Sequence, residues 1–133
     1  MSVVRFSVSL EEELLSELDL FAKDNNFANR SQALRNLIEK NIVEKKWHCN
    51  NVVAGAVIII YDHHKKDLIT RIIELQHDFF DVILSSQHFH LNQDTCLEII
   101  AVKGIASRLT GLSEKLISLK GIRHGKLVMS QAD

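Results

Sequence analysis

Two histidines one residue apart, His88 and His90, are followed six residues later by Cys96 in this chain of 133 residues. On a strand, residues two apart share a face with Cβ atoms roughly 6.5–7 Å apart, so both imidazoles can converge on one ion while Phe89 faces away. Asn92, Gln93 and Asp94 are turn formers, so Cys96 opens a neighbouring strand and brings a thiolate toward the same spot. Glu98 shares the face of Cys96 and can accept a hydrogen bond from a ligating imidazole, which fixes the tautomer and orientation of the ring. Imidazole with thiolate suits nickel, copper, zinc or cobalt over magnesium or calcium. The competing reading is two exposed histidines beside a buried cysteine.

A fourth donor must come from elsewhere. The chain holds 7 histidines, an excess that draws attention to metal or pH chemistry. His63, His64, His77 and His124 are candidates, whereas His48 and Cys49 belong to a solvated connection. His77, preceded by Gln76 at the C-terminal end of a helix, is preferred; on spacing alone it serves equally well as a histidine that favours that helix end through the dipole. The His63-His64 pair lies at a helix start and suits a surface, with His63 an accessory candidate.

Composition bounds the remaining possibilities. Lys and Arg number 16 against 17 Asp and Glu, a formal net charge of −1, which excludes a bulk polycation. It leaves DNA binding open, because one basic face can sit on a neutral total. At 46% hydrophobic and 25% charged the chain is an ordinary globular protein with a real core. The apolar run from Val52 to Tyr61, broken by Gly55, falls well short of the roughly 20 residues of a spanning helix. With no N-terminal apolar segment of signal length, the expectation is a cytoplasmic protein without a membrane partner. Two cysteines do not make a disulfide framework. No nucleophile elbow, P-loop or dinucleotide fingerprint occurs, so an enzyme is not expected.

The N-terminal residues alternate: Arg5, Ser7 and Ser9 on one face, Val4, Phe6, Val8 and Leu10 on the other, which is the period of a strand. Such a strand is isolated and needs a partner, most simply its copy in another subunit. Ser9 and Glu12 have capping-box spacing ahead of a helix carrying Leu14, Leu15, Leu18, Phe21 and Ala22. Asn29 and Gln32 repeat that spacing before a second helix, expected to run to about Lys46. Two paired strands form a ribbon that the major groove admits, with Arg5, Ser7 and Ser9 of the types that reach base edges. Asn29, Arg30 and Ser31, at the start of the second helix, offer a phosphate clamp. The plainer alternative is a ribbon that only dimerises. Residues 1–47 hold seven basic and eight acidic side chains, so a positive field must come from arrangement.

The remainder reads as strand (Val52–Tyr61), helix (Asp62–Asp78), strand (Val82–Leu91), strand (Cys96–Lys103), helix (Ile105–Leu119) and strand (Ile122–Met129). That order, βαββαβ, is the ferredoxin-like arrangement. The expected fold is therefore α+β: a ribbon-helix-helix domain at 1–47, a linker at 48–51, and a second domain at 52–133.

The series V-R-F-S-V-S-L-E-E-E-L-L, N-R-S-Q-A-L-R, Y-D-H-H-K-K-D-L, L-Q-H, H-F-H-L-N-Q-D-T-C-L-E-I and G-I-R-H-G-K-L resembles the nickel-responsive transcriptional regulators of the ribbon-helix-helix class, the NikR family. The H-x-H followed by C-L-E is the most specific part. The resemblance implies a homotetramer, a dimer of dimers, in which two ribbon-helix-helix dimers flank four C-terminal domains of the ACT type. It implies Ni(II) in a planar site with His88, His90 and Cys96 from one subunit and His77 from a neighbour. Glu98 and Gln76 match residues beside that site, and Arg5, Ser7 and Ser9 match the DNA-reading strand positions. Gln32 and Asn36 stand where many members carry carboxylates for a second cation between the domains, which removes the usual donors for it. The expected function is a nickel-dependent repressor that binds a palindromic DNA operator. A regulator that senses another metal or a small molecule, and a metalloenzyme with an open coordination position, are the competing hypotheses.

Overall fold

The computed structural model describes residues 2–133; Met1, first residue of the expected N-terminal strand, lies outside the described residues. The elements are α1 (Glu12–Asp24), α2 (Arg30–His48), β1 (Val52–Asp62), α3 (Lys66–Asp78), β2 (Ile83–His90), β3 (Thr95–Ile105), α4 (Ala106–Ile117) and β4 (Ile122–Gln131). Two compact units divide between Asn41 and Ile42.

In the first unit, residues 2–11 join neither helix nor sheet within the chain, and Val4, Phe6 and Val8 are exposed. An alternating segment without a partner has no ladder to enter, so the apolar row stays in solvent. Helix α1 starts at Glu12 with Glu11 as its cap and no side-chain capping bond. The Ser9–Glu12 capping box is therefore not formed: Ser9 falls two residues upstream of the cap. Glu12 and Glu13 instead favour the positive end of the helix. At the other end the Asn25 amide donates to the Phe21 carbonyl at 2.9 Å, and Asn26 turns the chain through φ 60°. Helix α2 opens as expected, with the Asn29 carboxamide oxygen accepting the Gln32 N–H at 2.9 Å; the Gln32 side chain accepts the Ala28 N–H at 3.0 Å. Among the described residues of this unit only Ala22 and Ala33 are buried, while Leu14, Leu20, Leu37 and Ile38 are exposed. So little burial does not offset the ordering of two helices without a partner surface.

The second unit takes in the last turns of α2. Helix α2 continues through His48, the first residue of the expected linker at 48–51, and Trp47 just before it is buried, donating its indole N–H to the Ser130 carbonyl at 2.7 Å. Asn50 takes a left-handed φ of 59°. The N-terminus of α4 has no cap of its own, and its first N–H groups are satisfied from this turn: Ala106 donates to the Asn51 carbonyl at 3.0 Å and Ser107 to the Asn50 side chain at 2.7 Å. An apolar indole and two amides with partners make this an ordered turn.

The four strands lie in the order β2-β3-β1-β4, all antiparallel, which is the expected βαββαβ topology. Val53, Val57, Ile59, Ile100 and Val102 point to one face and are fully buried with Leu109, Leu112 and Leu116 of α4 and with Leu68 and Ile72 of α3. The alternate residues Ile58, Ile60, Leu97 and Ile99 fall on the opposite face and remain partly exposed. Helix α3 begins at Lys66, not Asp62, because Asp62 still pairs with Thr95 in the ladder and residues 63–65 make the turn.

Candidate metal centre

Antiparallel register brings the donors together. In the β2–β3 ladder His90 lies opposite Cys96 and His88 opposite Glu98. In the β1–β3 ladder Tyr61 lies opposite Cys96 and Ile59 opposite Glu98. Since strand residues two apart share a face, His88, His90, Cys96, Glu98 and Tyr61 occupy neighbouring positions on one side of the sheet. Cys96 is 2% exposed, and its thiol makes a long contact, 3.8 Å, to the Leu97 carbonyl. The His88 side chain, on the edge strand β2, is 57% exposed.

Glu98 is fully buried, an expensive place for a carboxyl group unless its oxygens are bonded. One oxygen accepts the Tyr61 hydroxyl at 2.8 Å and faces His88 Nδ1 at 3.5 Å. The other accepts the Ser86 hydroxyl at 2.6 Å and the Gln76 amide at 2.5 Å. Gln76 and Glu98, both expected beside the site, thus touch each other. Tyr61 and Ser86 were not expected: their link to Glu98 depends on register between distant segments, which spacing along the chain does not reveal. Burial, and secondarily the Glu98 carboxylate, push the Tyr61 phenol above its ordinary range.

His63 stacks edge-on to the His90 ring at 4.9 Å and tilts against His64 at 4.1 Å, and both His63 and His64 contact the Gln93 carbonyl. His77 ends α3 exposed, 6.4 Å from the Phe80 ring between centroids, and His124 pairs opposite Ile60. Among the described residues no three His, Cys, Asp or Glu side chains of one chain enclose an ion. The donors nevertheless suit a soft or borderline divalent metal: two imidazoles and a thiol, one imidazole 3.5 Å from a braced carboxylate.

Of the DNA-facing candidates, Arg5, Ser7 and Ser9 are exposed on the N-terminal segment, and Arg5 borders a groove with Phe6, Ser31, Leu34 and Ile38. The Asn29 side chain caps α2. The Arg30 guanidinium makes two bonds to Asp19, at 2.7 and 3.0 Å, which hold the Asp19 carboxyl below its usual range.

A two-helix unit with an alternating N-terminal segment, followed by a βαββαβ domain that gathers His, His and Cys, defines a DNA-binding regulator that responds to a metal. Residues 4–45 match the family described as ribbon-helix-helix protein, copG family, and residues 54–130 match the NikR C terminal nickel binding domain. A protein from Syntrophus aciditrophicus named as a nickel-responsive regulator is 52% identical over 96% of this chain and 93% of its own length. One of the same name from Thermococcus onnurineus is 44% identical over 98% and 95%. The ACT domain from GTP pyrophosphokinase of Chlorobium tepidum, 15% identical, shares the fold over 59% of this chain and 100% of its own, with a TM-score of 0.50. An uncharacterized protein from Thermotoga maritima, 21% identical, covers 59% of this chain and 98% of its own with a TM-score of 0.53. The chain belongs to the nickel-responsive regulator family, with Ni(II) as its metal; it is a regulator and not an enzyme. No helix among the described residues is long and apolar enough to cross a membrane.

Proposed function

We propose that the protein is a nickel-dependent transcriptional repressor of the cytoplasm, a homotetramer built as a dimer of dimers, that binds a palindromic operator. In this reading residues 1–47 read DNA, residues 52–133 bind the metal and assemble the tetramer, and residues 48–51 join them. His88, His90 and Cys96 hold Ni(II) from one subunit and His77 from a neighbour, while Glu98 and Gln76 steady the site. Bound Ni(II) supplies a centre that favours imidazole and thiolate and ties two subunits together.

The observation that carries the reading is the register that sets His90 opposite Cys96 and His88 opposite Glu98. A three-donor hairpin with an exposed fourth candidate, His77, on a separate helix suits a site completed across an interface. The exposed Val4, Phe6 and Val8 supply the other interface: pairing of two N-terminal strands covers them and turns Arg5, Ser7 and Ser9 to the major groove. Asn29, Arg30 and Ser31 flank that ribbon at the α2 N-terminus, where backbone N–H groups meet phosphate. A metal that ties the subunits together biases the tetramer toward the arrangement in which both ribbons reach one operator. A coupling of about 1–3 kcal/mol raises DNA affinity roughly 5- to 150-fold.

The test is operator binding with and without one equivalent of Ni(II), wild type beside Cys96→Ala. Wild type gains affinity with the metal and Cys96→Ala loses both the gain and the thiolate charge-transfer absorption. Affinity of the wild type that does not respond to Ni(II) sinks the proposal.

A further inference from the structure

The carboxylate expected to brace a ligand imidazole is not alone in facing it. The Tyr61 hydroxyl lies 3.3 Å from His88 Nδ1 and 2.8 Å from a Glu98 oxygen, while the carboxylate itself is 3.5 Å from the same nitrogen. A phenol hydroxyl has one hydrogen to give and lone pairs to receive. Its hydrogen goes to Glu98, the stronger acceptor and the closer one, so its lone pair faces His88. The nitrogen that meets it must then be the protonated one.

We infer that Tyr61 is a positioning residue for the metal site: it accepts the Nδ1–H of His88, passes its own hydrogen to Glu98, and thereby leaves His88 Nε2 as the unprotonated, ligating nitrogen. This rests on the reading of His88 as a nickel ligand. Three features support it. Tyr61 is 3% exposed, so no water competes for its hydroxyl, and it is held in the central strand β1 opposite Cys96, two places along β3 from Glu98. Glu98 is fully buried and its other oxygen is occupied by Ser86 and Gln76, so the carboxylate cannot swing away from Tyr61 without losing two bonds. Finally, the His88 side chain is 57% exposed while its Nδ1 is engaged inward, so the Nε2 edge is the one turned to an incoming metal. The chain Ser86 and Gln76, Glu98, Tyr61, His88 runs from α3 and the middle of β2 to the inward Nδ1 edge of the imidazole, opposite the edge left for the metal. It sets the tautomer before any metal arrives.

Two measurements test this. In the metal-free wild-type protein, nitrogen-15 spectra of the His88 ring should show the Nδ1–H tautomer; a ring protonated at Nε2 overturns the inference whatever the variants do. Second, Ni(II) affinity and visible spectrum are compared for Tyr61→Phe and Ser86→Ala. Tyr61→Phe keeps the ring and removes the hydroxyl, and should weaken Ni(II) binding by about 10- to 100-fold, as losses of such supporting partners do, with a shifted charge-transfer band. Ser86→Ala removes one of the two bonds to the far carboxylate oxygen, leaves Gln76 on it, and should weaken Ni(II) binding by less than Tyr61→Phe does. Wild-type affinity in Tyr61→Phe, or equal losses in both variants, overturns the role of Tyr61, because the carboxylate's own burial would then be all that matters. Failure of the wild type to take up Ni(II) counts against the nickel reading instead.

Discussion

His90 lies directly opposite Cys96 across the β2–β3 ladder, so an imidazole and a thiol that the sequence separates by a six-residue interval belong to one rung of the sheet. Two rungs of one hairpin carry His88, His90, Cys96 and Glu98, and His77 lies in the last turn of α3, outside that pairing. In the proposed site the hairpin residues come from one subunit and His77 from another.

Subunit mixing follows from this. His77→Ala chains and Cys96→Ala chains should each fail to bind Ni(II) tightly. Co-assembled, they should recover a fraction of intact sites, because a Cys96→Ala subunit still offers His77 to a neighbour whose His88, His90 and Cys96 are whole. Nickel stoichiometry of the mixed assembly checks this, and a mixture as empty as its parents excludes donation between subunits.

The N-terminal segment separates reading from pairing. Arg5→Ala should cost about 1–3 kcal/mol of operator affinity at fixed salt and relax preference for the base it meets, with the assembly intact. Phe6 is 72% exposed in the single chain, and Phe6→Glu should instead abolish the dimer of ribbons by placing charge where two apolar rows meet. Gel-shift titration and sedimentation of both variants distinguish the two roles; loss of assembly in Arg5→Ala would contradict the division.

Tyr61 is the sole tyrosine, which makes its ionisation visible. Burial first, and then the bond to Glu98, raise its phenol above the ordinary 10.0. A group whose folded value lies above its unfolded one keeps its proton in the native state, so above pH 10 the unfolded chain alone gains from ionising and stability falls as pH rises. Alkaline titration of the metal-free protein should therefore show phenolate absorption appearing together with unfolding. Phenolate formed at the ordinary value in a protein that is still folded would contradict the burial.

Two glycines should respond in opposite directions to alanine. At Gly55 a Cβ would collide with the Val128 backbone oxygen of β4 and press on the Trp47 ring, and a paired strand cannot yield as a flexible side chain does. Gly55→Ala should destabilise by about 1–3 kcal/mol. At Gly111, inside α4, a Cβ meets nothing within 4 Å. Gly111→Ala should stabilise by about 0.5–1 kcal/mol through restricted freedom of the unfolded helix segment. Thermal unfolding followed by the single tryptophan, Trp47, which packs against Gly55, reads both.

Much of this was legible in the sequence because it is local. The alternation of residues 4–10, the Asn29–Gln32 cap, the apolar stripes of the helices and the βαββαβ order are set by neighbours within a few positions, where backbone period and side-chain type decide the outcome. The His88, His90 and Cys96 set is local too, since a hairpin closes over a short turn. Motif order along nearly the whole chain pointed to the family. The Ser9–Glu12 cap is not realised because Ser9 still lies in the N-terminal segment, two residues before Glu11, where the helix is capped. What only the tertiary structure decided spans long intervals: the Tyr61 hydroxyl on Glu98, 37 residues apart, and the Trp47 indole on Ser130, 83 apart. Such contacts depend on which strands pair and in what register, and register is settled by burying one whole face of a sheet at once. That cooperative choice made Trp47, next to the expected linker, a core residue, and placed Tyr61 between the His88 imidazole and a buried carboxylate.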